Sequence, residues 1–220
     1  MGGKPVTQQR PYVVGIAGPT CSGKSELANH LQISLREMRP VVISSDSYYR
    51  DLSALPPSDR SSHNFDHPDS IEWELLSRDI DNLARGEEVL QPVYDFSTHT
   101  RCCHSARIIP SPVIIVEGLF VLYWAEVRRL LDMKIFVALP EGSAITRRLE
   151  RDVQERGRTP ESVLDQYHRT VKPMNEKYVL PSKIFADIVV DGSDSVGQSA
   201  ARVVKHIQIP LLRASPDRMS

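Results

Sequence analysis

Gly18-Pro19-Thr20-Cys21-Ser22-Gly23-Lys24-Ser25 is the stretch on which the fold turns. It matches G-x-x-x-x-G-K-[ST], the loop that cradles the phosphates of a nucleoside triphosphate. Glycines let the backbone curl so that successive N–H groups face the phosphate oxygens. The helix that follows adds the partial positive charge of its N-terminus. In that frame Gly18, Thr20, Cys21, Ser22 and Gly23 form the cradle. Lys24 reaches the β- and γ-phosphates, and the Ser25 hydroxyl ligates Mg²⁺. The flanks agree with the motif. Tyr12-Val-Val-Gly-Ile-Ala17 is a short apolar run suited to a buried strand, and Leu27, Ala28, Leu31, Leu35 and Met38 recur near helical spacing.

The rest of the composition narrows the setting. A chain of 220 residues is long enough to bury a substantial core as one domain. A formal net charge of −1 gives no broad attraction to nucleic acid or to a membrane surface. The three cysteines, two of them adjacent at 102 and 103, show neither a disulfide framework nor metal-ligand spacing, which suits a reducing compartment. No apolar run approaches the ~20 residues of a membrane span. Residues 1–10 read as a polar lead-in without a signal-peptide core, so the expected location is cytoplasmic.

Val41-Val-Ile43 predicts a second strand that runs into Ser44-Ser-Asp-Ser-Tyr-Tyr-Arg50. Ligands of an open parallel sheet gather at the carboxyl ends of its strands, so Asp46 stands where a catalytic carboxylate is useful. Asp also caps turns often, and the residues alone leave both roles open. Positions 51–69 form a polar, irregular excursion with Pro56-Pro57, four serines and two histidines. Long loops of this kind serve as lids or binding loops. Its Asn64-Phe-Asp-His-Pro68 segment mixes an aromatic with polar groups, as a flat polar ligand requires. The two histidines read as packing residues. Ile71, Leu75, Leu76, Ile80 and Leu83 predict an amphipathic helix ending near Gly86.

Val89-Leu-Gln-Pro-Val-Tyr94 and Arg107-Ile-Ile109 predict a hairpin insertion over about 87–110, with Tyr94, His99 and Arg101 near its tip. Val113-Ile-Ile-Val116 is the clearest buried strand, and Glu117 directly after it stands where a ligand of Mg²⁺ or its water belongs. Residues 134–138 and 188–190 supply the fourth and fifth strands. Between them, five arginines (147, 148, 151, 156 and 158) alternate with Glu150, Asp152 and Glu155. Part of that run reads as a solvated helix face with i,i+3 and i,i+4 pairs, and this covers Arg147. Arg156-Gly-Arg158 breaks the helical pattern and carries two fork-shaped donors, as a lid over a γ-phosphate would. A helix over 200–207 and a short polar tail complete the chain. The residues alone thus imply Mg²⁺-dependent phosphoryl transfer to a small hydroxyl compound.

The ordered blocks Gly-Ile-Ala-Gly…Ser-Gly-Lys-Ser, Ser-Asp-Ser-Tyr-Tyr-Arg, Asn-Phe-Asp-His-Pro-Asp, Pro-Val-Tyr-Asp-Phe…His-Thr-Arg, Ile-Ile-Val-Glu-Gly, Arg-Arg…Arg-Asp…Glu-Arg-Gly-Arg and Gln-Tyr…Thr-Val-Lys-Pro-Met resemble the uridine (uridine–cytidine) kinases over positions 11–190. The resemblance implies an α/β, P-loop NTPase-type three-layer fold with a five-stranded parallel sheet, flanking helices and a projecting β-hairpin. It implies a single kinase domain over 1–220 with a lid over about 148–175. The implied substrates are uridine, and with it cytidine, phosphorylated on the 5′-hydroxyl at the expense of ATP or GTP with Mg²⁺. A homotetramer is implied as the assembly. By position, Asp46 matches the general base, and Tyr49, Phe65 and Asp66 surround the nucleoside, with Asp66 on the sugar hydroxyls. Tyr94 and His99 meet the pyrimidine ring. Arg148, Arg151, Arg156 and Arg158 match lid and base-contacting arginines, with Arg151 and Arg156 beside Lys24 in the chemistry and Arg151 on the donor. Gln166 matches a ribose contact, and Glu117 the acid near Mg²⁺.

Four stretches depart from the family pattern: Pro19-Thr-Cys, Cys102-Cys-His-Ser105, Leu139-Pro-Glu-Gly142 and Asp191-Gly-Ser. None removes a catalytic group. Sister kinases acting on a sugar phosphate or on pantothenate share the loop and the acid after the second strand. A phosphorylated acceptor wants a cationic pocket, whereas this hairpin offers Tyr94, Asp95 and His99. A regulatory nucleotide switch fits less well, since no Thr/Asn-Lys-x-Asp motif occurs. Because Lys24 carries the charge for the phosphates and Ser25 orders the metal, Lys24→Ala and Ser25→Ala are each expected to abolish turnover at saturating nucleotide and Mg²⁺. A steady-state phosphoryl-transfer assay that returned wild-type kcat for either variant would remove the loop from the reaction.

Overall fold

The computed structural model describes residues 10–60 and 62–213. Most of the polar lead-in and the tail beyond 213 lie outside the described residues. In chain order the elements are β1 (Tyr12–Ala17), α1 (Lys24–Ser34), β2 (Val41–Ser44), α2 (Pro57–Arg60), α3 (Trp73–Ala84), β3 (Val89–Asp95), β4 (Thr100–Ile108) and β5 (Val113–Glu117). They continue with α4 (Ala125–Arg128), β6 (Met133–Ala138), α5 (Glu141–Gln154), α6 (Pro160–Gln166), α7 (Lys172–Met174), β7 (Ile188–Asp191) and α8 (Val196–Arg213). Five strands form one sheet in the order β2-β5-β1-β6-β7, every neighbouring pair parallel. Helices cover both faces, so the fold is the three-layer α/β architecture of P-loop enzymes.

The strands are apolar along their whole length because a parallel sheet is covered on both faces. Val14, Ile16 and Ile135 pack on one face with Leu27 and Leu31 of α1 and Val203 and Ile207 of α8. Val13, Ile43, Ile114 and Val116 pack on the other with Leu76, Ile80 and Leu83 of α3 and with Phe120. Each such side chain contributes ~1.5–3 kcal/mol on burial. The register sets the site. Glu117 pairs with both Ile16 of β1 and Ser44 of β2, so the residues that follow all three strands emerge at one level.

Several local readings shift. Ile71 is not helical but forms an antiparallel bridge with Tyr49, fully buried, and α3 begins two residues later at Trp73. Helix α1 stops at Ser34, so Leu35 caps it and Met38 falls in a 3₁₀ turn. Strand β4 starts at Thr100, well before Arg107, because Thr100 and Arg101 already pair with Asp95 and Tyr94. The four-residue turn is closed by the Asp95 carboxylate, which accepts from the backbone N–H and Oγ of Ser97 and from the Thr98 hydroxyl. The last helix runs from 196 to 213, longer than the expected 200–207.

The chain after β5 passes so close to the chain after β2 that a Cβ on Gly118 would lie 1.8 Å from Ser45 Oγ. Gly118 also has φ +158°, a conformation L side chains rarely adopt. Gly118→Ala is therefore expected to cost ~2 kcal/mol or more of stability through strain and overpacking. A urea midpoint equal to that of the parent would show that the two segments part freely.

Candidate active site

The phosphate loop is closed in on itself. Gly23 heads α1 at φ +94° and Cys21 takes the left-handed region at φ +57°. Lys24 is buried and its Nζ donates to the Pro19 carbonyl at 2.7 Å. Burial lowers the Lys24 pKa, while Glu117 and then Asp46 oppose the shift. Ser25 Oγ donates to Glu117 Oε2 at 3.2 Å. A hydroxyl and a buried carboxylate at hydrogen-bond distance are hard oxygen donors of the type that suits Mg²⁺, which otherwise keeps waters and substrate phosphates. Ser25 and Glu117 are the pair that would hold it.

Asp46 lies in the single 3₁₀ turn Ser45–Tyr48 after β2. The capping role open to it in the sequence belongs instead to Ser44, whose hydroxyl accepts the Asp46 N–H at 3.3 Å. The carboxylate is thus left for other work. Burial, followed by the charge of Glu117, pushes Asp46 up to about 6, and Lys24, Arg156 and Arg151 pull in the other direction. Five expected site residues therefore share one electrostatic field at the carboxyl ends of the sheet. A carboxyl that titrates near neutrality can take a proton during turnover.

A second cluster lies beside the first, under the hairpin. Tyr49 is its centre, with ring centroids 5.5 Å from Phe65, 5.4 Å from Tyr94 and 6.3 Å from Phe96. His99 stacks on Phe65 at 4.6 Å and 23°. The two excursion histidines are packing residues, as expected: His63 meets the Phe65 ring at 5.0 Å, edge on. His67 Nδ1 accepts the Asp69 N–H, which leaves Nε2–H to donate to the Tyr178 hydroxyl at 2.9 Å. Asp66 Oδ2 accepts from Thr170 Oγ1 at 3.1 Å, and burial raises its pKa against the pull of Arg148. Phe96 and Thr170 are not among the expected site residues, although both lie within the ordered blocks Pro-Val-Tyr-Asp-Phe and Gln-Tyr…Thr-Val-Lys-Pro-Met.

The arginine run departs most from its sequence reading. Asp152 is fully buried rather than on a solvated face. Its Oδ1 takes the Arg151 Nε at 2.9 Å and Nη2 at 2.8 Å, with Arg156 Nη1 at 3.4 Å. Its Oδ2 lies 3.6 Å from both Arg148 Nε and Arg158 Nη1. Arg147 is likewise not a plain surface residue, since its Nη1 donates to the Cys21 carbonyl at 3.4 Å. Both corrections follow from where α5 packs: it leans on the back of the phosphate loop, so its inner turn faces protein. Arg148, itself buried, donates to Thr20 Oγ1 at 3.2 Å and to Gln166 Oε1 at 3.0 Å, an oxygen it shares with Arg158. One guanidinium thus touches both the donor loop and the expected ribose contact.

The model of the Phosphoribulokinase / Uridine kinase family matches residues 13–197. The uridine kinase of Leuconostoc citreum is 44% identical over 183 residues, 82% of this chain and 87% of that protein. That of Clostridium novyi is 42% identical over 181 residues, 82% and 87% of the two chains. That of Chloroflexus aggregans is 39% identical over 204 residues, 93% and 98%. Among solved structures, phosphoribulokinase from Rhodobacter spheroides aligns with a TM-score of 0.64 at 17% identity, over 85% of this chain and 74% of that one. D-glycerate 3-kinase from Cryptococcus neoformans aligns at 0.62 and 16%, over 88% and 90%. Among the described residues no helix is long and apolar enough to cross a membrane.

Asp46 generates a prediction of its own. A carboxyl raised in the folded state binds its proton more tightly there than in the unfolded chain. Its contribution to stability is whole below the unfolded pKa of 3.8 and is lost as pH rises through about 6. At pH 7.5, without nucleotide or Mg²⁺, Asp46→Asn is expected to gain ~1–3 kcal/mol in denaturant unfolding, since each pKa unit is worth about 1.4 kcal/mol. The gain should shrink toward zero near pH 4. An equal effect at both pH values would show that Asp46 titrates as an ordinary exposed carboxyl.

Proposed function

The chain belongs to the Phosphoribulokinase / Uridine kinase family, and on that premise we propose that it transfers the γ-phosphate of ATP or GTP to the 5′-hydroxyl of uridine, and of cytidine, in pyrimidine salvage. Membership makes it an ATP-dependent phosphotransferase. The acceptor is inferred. It rests on one observation: Tyr49, three residues after Asp46, packs with Phe65, Tyr94 and Phe96, and His99 stacks on Phe65, an aromatic surface that suits a flat heterocycle. The arginines next to it are already engaged. Arg60 donates to the carbonyls of Leu55, Thr98 and Ser53, and Arg101 to those of Tyr48 and Tyr49. A phosphorylated sugar would find little uncommitted positive charge at this wall.

In this reading the ring of the nucleoside lies against the hairpin and the ribose points to Asp66, Gln166 and Arg148. That orientation places the 5′-hydroxyl toward Asp46. Asp46 accepts the hydroxyl proton as the new O–P bond forms, and Tyr49 and Phe65 exclude water from the approach. Lys24 leaves the Pro19 carbonyl for the β- and γ-phosphate oxygens, and Arg151 and Arg156 neutralise charge on the transferring group. Ser25 and Glu117 would hold Mg²⁺, which would supply charge neutralisation for the transfer. The setting proposed is the cytoplasm.

The test is an acceptor comparison with labelled ATP and Mg²⁺, offering uridine, cytidine, pantothenate and ribulose 5-phosphate. Uridine and cytidine should be turned over with kcat/KM far above the other two, and a preference for the sugar phosphate would overturn the reading. His99→Ala should raise the KM for uridine by ~5–150-fold, equivalent to ~1–3 kcal/mol of lost binding, with kcat nearly unchanged. A fall in kcat at constant KM would move His99 from ring recognition to the chemistry.

A further inference from the structure

Arg101 has no part in the mechanism above, yet few side chains in the described structure are so fully engaged. It stands on β4, the second residue after the hairpin turn. Its Nε donates to the Tyr49 carbonyl at 3.0 Å and its Nη2 to the Tyr48 carbonyl at 3.2 Å. Its Nη1 pairs with Glu72 Oε2 at 2.8 Å. Its own backbone N–H donates to Asp51 Oδ1 at 3.1 Å. The guanidinium fork therefore spends all three nitrogens on two segments, the chain after β2 and the start of α3. Glu72 closes the loop, because its N–H donates to the same Tyr48 carbonyl at 2.8 Å.

What these bonds hold is the short chain 45–51. Its front end carries Asp46 and its middle carries Tyr49, the centre of the aromatic wall. The same β4 strand leaves the turn through His99, stacked on Phe65. A guanidinium in this place joins the part of the site that would read the ring to the part that would take the proton. Arg suits the task because its planar fork can meet two adjacent carbonyls and a carboxylate at once, which a lysine ammonium cannot do with fixed geometry.

We propose that Arg101 is a positioning residue: by gripping the Tyr48 and Tyr49 carbonyls from the hairpin, it fixes Asp46 against the hydroxyl of an acceptor seated on that hairpin. The inference rests on the reading of Asp46 as the base.

The test is a double-mutant cycle on the full-length chain with uridine, ATP and Mg²⁺, combining Arg101→Met with Asp46→Asn. Asp46→Asn alone should lower kcat by ~10²–10⁴-fold, the usual scale of a positioned base. Arg101→Met alone should lower kcat by ~10–100-fold, the scale of a misplaced catalytic group, with the KM for ATP within about twofold of wild type. The double variant should be no slower than Asp46→Asn within about twofold, since no base remains to be placed. Losses that multiply would overturn the proposal and make Arg101 a general support of the fold. An unchanged kcat in Arg101→Met would overturn it as well. If Asp46→Asn kept wild-type kcat, the reading of the base would itself have failed, and the proposal with it. Should the Met variant not fold, as judged by circular dichroism, Arg101→Lys replaces it in the same cycle, with the same pattern expected and the same results decisive.

Discussion

Lys24 is the charge around which the carboxyl ends of β1, β2 and β5 are arranged. An ammonium buried in the phosphate loop is costly unless it is matched, and burial alone depresses its pKa. Two carboxylates supply the match: Glu117 from the end of β5 and Asp46 from the turn after β2. Asp46 is raised by its own burial and by Glu117, and Lys24 pulls it back. Removing the lysine from such a set would leave the carboxylates uncompensated. The parallel register that levels Ile16, Ser44 and Glu117 is what brings the three into range.

The arginine run that begins in α5 follows the same logic with the signs exchanged. Asp152 is fully buried among Arg148, Arg151, Arg156 and Arg158, and one carboxylate gathers four guanidinia beside the phosphate loop. Arg148 extends that arrangement to Thr20 of the phosphate loop and to Gln166 at the end of α6. The arginines are thereby kept extended and ordered, so less rotational freedom remains to be lost when they engage an anion.

Much of this was legible from the residues. The loop from Gly18 to Ser25 carries its mechanism in its spacing, and the unbroken run Val113–Val116 can only be a strand covered on both faces. Asp46 and Glu117 were legible because the ends of such strands are where ligands gather. Asp152 was not, since an acid four residues from an arginine looks the same on paper whether the pair is solvated or sealed. Only the packing of α5 against the phosphate loop decides it. Ile71 was misplaced because an apolar residue at helical spacing can equally close a bridge to a distant segment, here Tyr49. Arg101 was placed near the hairpin tip, but what it grips lies 52 and 53 positions away in the chain. Local pattern does not reach that far.

The imbalance at Asp152 has a consequence for how fast the enzyme meets its donor. Four guanidinia against one carboxylate leave an excess of positive charge at the rim, on a chain whose formal net charge is only −1. A polyanion that approaches this cluster meets local positive charge on a nearly neutral body, which favours its capture there. Such focusing fades as the Debye length shrinks from about 10 Å at 0.1 M salt to about 3 Å at 1 M. Ionic strength would therefore act on the association rate of the triphosphate, while an uncharged acceptor entering by the aromatic wall would be indifferent to it.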